Sequence, residues 1–272
     1  RSTQAKTLFP YTTLFRSSID LPGEVWTDRP SIPLNPFYAF NVKYAGKSTV
    51  DKLALVRAEL KKAYADVFVM SALDDIAWLF NIRGNDVNYN PVVISYALIE
   101  NDKATLFIAP EKLTPETSSY LKNEGVVVEN YEAICDRLKE LKPSESVLVD
   151  GSKLNQALYE SIPSACVIRN TMSPVFKLKS VKNEVEMAGV RSAMVIDGVA
   201  LTRFFMWLEA NLESGKLTEI SISEKLCEFR SEQENFMGES FGTIAGYAAH
   251  GAIVHYSAQP ETESTLKAEN IL

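Results

Sequence analysis

The chain has 272 residues, 46% hydrophobic and 23% charged, with twelve glycines and twelve prolines. That is enough apolar material for two domains or one large one, and it excludes disordered, collagen-like and coiled-coil classes. Lys plus Arg total 28 against 35 Asp plus Glu, a net charge of -7, with no basic run, which counts against nucleic acid or an anionic membrane as the main partner because both need a cationic footprint.

Residues 1–17, RSTQAKTLFPYTTLFRS, begin at Arg1 rather than Met, and the stretch Thr7 to Ser17 reads like a translated sequencing-adapter oligonucleotide. They are expected to be a non-native scar outside the fold. Residues 18–48, with prolines at 22, 30, 33 and 36, read as an irregular leading linker. Regular structure is expected from Thr49, an N-cap for a helix to Tyr64 on which Leu53, Leu55, Val56, Leu60 and Ala63 recur at helical spacing.

The run DVFVMS and, after Asp74 and Asp75, the run IAWLFN are predicted as two buried strands, the second ending at the turn Arg83 to Asp86. Residues 92–100 and 103–109, separated by Asn101 and Asp102, predict an antiparallel hairpin. Helical stretches at 115–123, 132–141 and 153–161 alternate with the strand-like runs VVVEN, SVLVD and ACVIR. Helices returning between strands make a mixed α/β layer structure.

A composition shift at Lys177 to Ser180 suggests a domain boundary. Beyond it a long helix is predicted from Val181 to about Asn211, then a break at Ser214 and Gly215, and a second helix from Glu219 to about Glu232 capped by Thr218. Residues 240–246 and 252–256 read as strands joined by a Gly/Ala-rich loop, and Ile271 and Leu272 as the opening of a buried strand.

Candidate chemistry is sparse. Cys135, Cys166 and Cys227 are far apart, with no Cys-x-x-Cys and no nearby histidine, and read as reduced thiols. With no apolar stretch long enough for a membrane helix, a soluble cytoplasmic protein is the expectation. The two histidines, His250 and His255, are five apart, which misses the i, i+4 spacing of helical metal ligands. His255 ends an apolar run before a polar turn, a place where function often sits, although from spacing alone a satisfied structural histidine is the better reading. Asp74 and Asp75, in an extended reading, point to opposite faces and suit turn or cap duty. The Asx-rich loop 83–91 is explained by turn chemistry, with an interface role open, and Trp26, Trp78 and Trp207 read as core or interface anchors. Phosphate-loop, dinucleotide, nucleophile-elbow and zinc-helix motifs do not occur.

Four strings are more specific: VWTDRP at 25–30, SALDDIAWLFNIRGNDVNYNPVVISYALI at 71–99, KSVKNEVEMAGVRSAMVIDGVAL at 179–201, and FGTIAGYAAHGAIVHYSAQPET at 241–262. From about Asp20 to Leu272 the chain resembles, in unbroken order, the long three-domain Xaa-Pro aminopeptidases (aminopeptidase P). The resemblance implies an α/β (α+β) fold: a creatinase-like mixed-sheet middle domain with its leading linker at 18–176, then the truncated start of a pita-bread catalytic domain at 177–272. It implies a metallopeptidase that removes the N-terminal residue from peptides with proline in second position, using water bridging two divalent ions, usually manganese.

The family's five metal ligands, two aspartates, a histidine and two glutamates, begin just past the position of Leu272, so no metal ligand is expected here and this stretch alone is expected to be inactive. His255 matches a family histidine that contacts substrate and donates to the transition state. Phe241, Thr243 and Ile244 match the strand walling the substrate pocket, with plain strand core the competing reading for each. His250 stands where the family often has Asn and carries no assigned role. The family commonly dimerises, and its first domain, absent here, supplies a substrate-contacting arginine. Two alternatives are weighed: a catalytically dead pita-bread protein binding peptides or histone-like partners, which the intact His255 segment leans against, and a creatinase or prolidase, which the LDDIAWLFNIRG block disfavours.

Overall fold

In the Pro-rich lead, where no regular element is predicted before Thr49, three short ones form: α1 (Leu21–Val25), β1 (Tyr38–Ala39) and α2 (Val42–Ala45). The computed structural model describes residues 21–272, so the expected scar at 1–17 lies outside it. The first long helix, α3 (Thr49–Lys62), is capped by Ser48 rather than Thr49. The Ser48 hydroxyl accepts from Asp51 N, and the Asp51 carboxylate accepts from Ser48 N. Thr49 lies inside the first turn and is buried.

There follow β2 (Val67–Met70), α4 (Leu73–Leu79), β3 (Ile82–Arg83), β4 (Tyr96–Glu100), β5 (Ala104–Ile108), α5 (Pro115–Asn123), β6 (Val126–Asn130), α6 (Ile134–Lys139), β7 (Ser146–Val149), α7 (Gln156–Ser161) and β8 (Val167–Asn170). Six strands make one sheet in the order β6-β5-β4-β2-β7-β8, while β1 and β3 pair separately. β4 and β5 form the expected hairpin, Glu100 N donating to Lys103 O across Asn101 and Asp102. β2 pairs antiparallel with β4 and parallel with β7, so the sheet is mixed, as its run of returning helices predicts.

Side-chain alternation divides the core in two. Phe68, Met70, Ala97, Ile99, Leu106 and Leu148 face one layer, which α3, α4 and α5 cover. Val67, Val69, Leu98, Phe107, Val147 and Val149 face the other, against α6 and α7. Every central strand is buried on both faces, so its sequence is a continuous apolar run rather than an alternating one.

Three expectations need correction. IAWLFN is not a strand: Ile76 to Leu79 complete α4, which opens on Asp74 and Asp75. Because Ile76, Ala77, Trp78 and Leu79 are all buried, the helix shows no polar face, and a short run of that kind cannot be told from a buried strand by period. The two aspartates are thus one helical turn's neighbours and share a cation. Lys179 Nζ bonds Asp75 at 2.8 Å and also Asp74, and Ser173 Oγ donates to Asp75 at 2.7 Å.

The helix expected from Val181 forms as α9 but starts only at Glu184, capped by Asn183 (Glu184–Asn211), and a short helix that was not expected, α8 (Pro174–Ser180), precedes it. Finally, among the described residues, 240–246 and 252–256 form no strand. Residues 248–252 make a 3-10 turn, and Ile271, expected to open a buried strand, is exposed. In the turn His250 N donates to Tyr247 O and Ile253 N to His250 O, while Ala248 N reaches Ile271 O.

α9 and α10 (Glu219–Ser231) pack together around a third, smaller cluster that includes Phe204, Leu217, Ile222, Leu226, Tyr247 and Leu266. A polar junction ties α9 to the sheet domain. Asn183 Nδ2 donates to Ala45 O, and Trp78 Nε1 donates to Glu186 Oε1 at 3.2 Å. Beneath Trp78 lies Lys52, whose ammonium donates to Trp78 O and Asn81 Oδ1 and stands 4.3 Å from the centre of the Trp78 ring.

Candidate functional site

The segment after α10 carries all four residues singled out for function, and α9 and α10 hold its first part. Arg230, on α10, donates to Asp197 of α9 at 2.7 Å and to Glu239 at 3.5 Å. Glu239 in turn accepts from the Thr243 hydroxyl at 3.4 Å. Thr243 is thereby moored, half-buried, while its neighbours Phe241 and Ile244 are 67% and 64% exposed. Plain strand core is therefore the wrong reading for Phe241 and Ile244. Gly242 between them lets the sheet domain approach: the Tyr89 hydroxyl, from the Asx-rich loop 83–91, lies 3.2 Å from where a β-carbon would stand.

That loop is more than turn chemistry. Asp86 is buried, accepts from Ile94 N at 2.6 Å and pairs with Lys112, so its base is rigid where it presents Tyr89.

Downstream, the chain doubles back. Gly246 would place a β-carbon 3.1 Å from the backbone of His250 and Gly251, so the closure of 246–251 favours a residue without a side chain. His255 then sits at φ 56°, in the left-handed region, and is exposed. Among the described residues, no hydrogen bond joins its imidazole to Phe241, Thr243 or Ile244 or to any other group.

His250, left without a role by sequence reasoning, is the committed histidine. Its Nδ1 lies 3.0 Å from Oε1 of Glu219, a carboxylate that is fully buried. Tyr247 N donates to Glu219 at 2.6 Å, the Tyr256 hydroxyl at 2.6 Å and Ser264 N at 2.9 Å. Burial alone would raise this carboxyl, but the donors from Tyr247, Tyr256, Ser264 and His250 hold it at about 2. Tyr256, by burial and by its bond to Glu219, is pushed up to about 12. In the sequence Glu219 looks like an ordinary acidic residue in a helix's first turn. Only the partners, all 28 to 45 residues away, mark it out.

Among the described residues, no group of three or more His, Cys, Asp or Glu could hold a metal ion. The Glu219 cluster does not fit one: its oxygens are already filled by N–H and O–H donors, the reverse of a metal-ligand environment. Nor is any helix of the described residues long and apolar enough to cross a membrane.

Residues 28–186 match the creatinase/prolidase N-terminal domain, and residues 188–272 match metallopeptidase family M24. A "Probable Xaa-Pro aminopeptidase P" of Sordaria macrospora is 39% identical over 247 residues, covering 86% of this chain and 40% of that protein. A protein of the same name from Coprinopsis cinerea is 38% identical over 275 residues, covering 95% of this chain and 44% of its own. The chain thus spans well under half the length of these relatives. Among solved structures, an X-prolyl aminopeptidase of Caenorhabditis elegans, described as cytosolic with a di-nuclear active site, superposes with a TM-score of 0.82 at 30% identity, over 89% of this chain and 41% of that one. A dipeptidase of Mycobacterium ulcerans shares the fold, with a TM-score of 0.60 at 18% identity, over 86% of this chain and 60% of that one.

Proposed function

The chain belongs to the creatinase/prolidase family, and from that premise we propose that it is the middle domain and the opening of the catalytic domain of an Xaa-Pro aminopeptidase, a metal-dependent hydrolase. One observation carries this reading: a single unbroken match crosses from the creatinase-like domain into the M24 segment, to relatives of that name. The apolar side chains exposed along one face of α9, such as Met187, Val190, Met194 and Phe205, support it, because so long an apolar stripe calls for further chain to cover it. Two divalent ions, manganese by family, a homodimeric assembly and a cytoplasmic location belong to the same proposal.

The described residues do not fit a metal, so none of the steps assigned to this chain runs through one. Its own contribution is to hold substrate. Phe241 and Ile244 offer exposed apolar surface on either side of the moored Thr243, suited to a prolyl ring and its neighbour. His255, without a hydrogen-bond partner among the described residues, donates to the oxygen on which charge develops as the peptide bond opens. The contrast with His250, which Glu219 occupies, is what supports choosing His255.

The 272-residue chain, purified and given manganese, is expected to release nothing from a peptide with proline in second position. The protein expressed at the length of its relatives is expected to release the first residue and to stop when the metal is chelated. In that longer protein His255→Ala should lower kcat by about 100-fold or more. Cleavage by the 272-residue chain, or binding without cleavage by the longer one, would overturn the proposal, the latter in favour of a binding module.

A further inference from the structure

We propose that Glu219 is the positioning residue for His255: its buried carboxylate fixes the segment 247–264 by taking donors from the segment's start, middle and end. The inference rests on the role proposed above for His255.

The geometry is unusual in its convergence. Oε1 accepts from Tyr247 N, Oε2 from the Tyr256 hydroxyl and Ser264 N, and His250 Nδ1 lies between them at 3.0 and 3.1 Å. All of these donors belong to the one segment that contains His255, and among the described residues no Lys or Arg reaches the carboxylate. The backbone of α10's first turn adds to the hold: Glu219 N donates to Ser264 O, and Ile220 N donates to Glu263.

His255 needs such a frame. A non-glycine residue does not keep a φ of 56° unless its neighbours impose it. The next residue, Tyr256, is fixed twice, by its hydroxyl on Glu219 and by its ring, which stacks on His250 with centroids 4.7 Å apart. The direction of the His255 side chain is therefore set from Glu219 through Tyr256.

The isosteric variant Glu219→Gln tests this sharply. It replaces one acceptor oxygen by an NH2 group. Whichever way the amide is turned, either Tyr247 N–H or Ser264 N–H faces a donor, and a backbone N–H cannot reverse its role. In the 272-residue chain, amide exchange at Tyr247 and Ser264 should quicken more than about tenfold in E219Q, while the amides of α10 beyond its first turn and of the sheet are unchanged. In the protein at its relatives' length, E219Q should lower kcat roughly 10- to 100-fold with KM for the Xaa-Pro peptide little moved. Tyr256→Phe, which removes one donor and leaves the carboxylate, should fall between E219Q and wild type.

Thr218→Ala serves as the structural control. It uncaps the same helix without touching the cluster, so it should lower the melting temperature and leave kcat as it was. Equal loss of kcat in T218A and E219Q, or unchanged kcat in E219Q, would overturn the inference. If the wild-type longer protein cleaves nothing, the aminopeptidase reading falls by itself. Glu219 is then judged on exchange alone: faster exchange at Tyr247 and Ser264 upholds its hold on the segment, and unchanged exchange overturns it.

Discussion

Lys52 and Lys112 are both buried yet face opposite situations. Lys112 has a full counter-charge in Asp86, each side chain 1% exposed. Breaking such a pair from one side leaves a buried charge unmet, so Asp86→Asn should destabilise by about 3 to 5 kcal/mol, whereas replacing both partners by apolar residues should recover only part of the loss, because Ile94 N then lacks its acceptor. Urea unfolding of the single and double variants measures both. Lys52 has only oxygens and the Trp78 ring, and burial draws its ammonium down to about 8 against the opposing pull of Glu186. In the unfolded chain that group keeps its usual value near 10.5, so between those limits the unfolded state binds more protons and stability rises with pH. From pH 8 to 9.5, below the range where tyrosines ionise, wild type should gain stability relative to Lys52→Met. A parallel pair of curves would count against it. None of these environments is written in the sequence, where a buried Lys or Glu219 is spelled like a surface one. His255 stands out in the sequence only because a family string surrounds it.

Helix termini were far more legible, since a cap is a local pattern. Thr218, the hairpin turn at Asn101 and Asp102, and the bounds of α5 and β6 all stand where the residues suggest. What local pattern cannot supply is which capping residue also serves a distant partner. Asn183 accepts from Val185 N and Glu186 N while its amide donates to Ala45 O of another element. Its replacement by Ala should therefore cost about 1 kcal/mol for the cap and about 1 more for the lost bond to α2. Ser48→Ala should lose the cap alone. Comparing the two variants by thermal unfolding separates the contributions. The same limit explains α4: its burial all round comes from tertiary neighbours, and the apolar run it leaves in the sequence carries no period.

At the scale of the molecule, two bodies of unequal strength share few contacts. The sheet domain has two extensive apolar layers, whereas α9 and α10 share one small cluster, and α9 buries only Ala200 and Phe204 along its length. Between the bodies run polar links: Trp78 to Glu186, Asn183 to Ala45, Tyr44 to Asn235, and the approach of Tyr89 to Gly242. Cooperativity needs an interface whose burial rivals that of the parts it joins, and a handful of bonds worth about 1 kcal/mol each does not provide it. Urea should therefore unfold residues 184–272 first and the sheet domain at higher concentration. Trp207 reports on the small cluster and Trp78 on the sheet domain. Trp207→Phe should remove most of the fluorescence change of the first transition, leaving the part due to loss of the Trp78 bond to Glu186, and Trp78→Phe most of that of the second. If wild type instead gave one transition, coincident for both reporters, the junction at Trp78 and Glu186 would have to be coupling the bodies far more strongly than its bonds suggest. Weak coupling also bears on the proposed function, because the proposed substrate wall stands on the less stable body while Tyr89 approaches it from the more stable one. Their relative placement is then set at the junction, where Lys52 and Asn183 reach it from opposite sides.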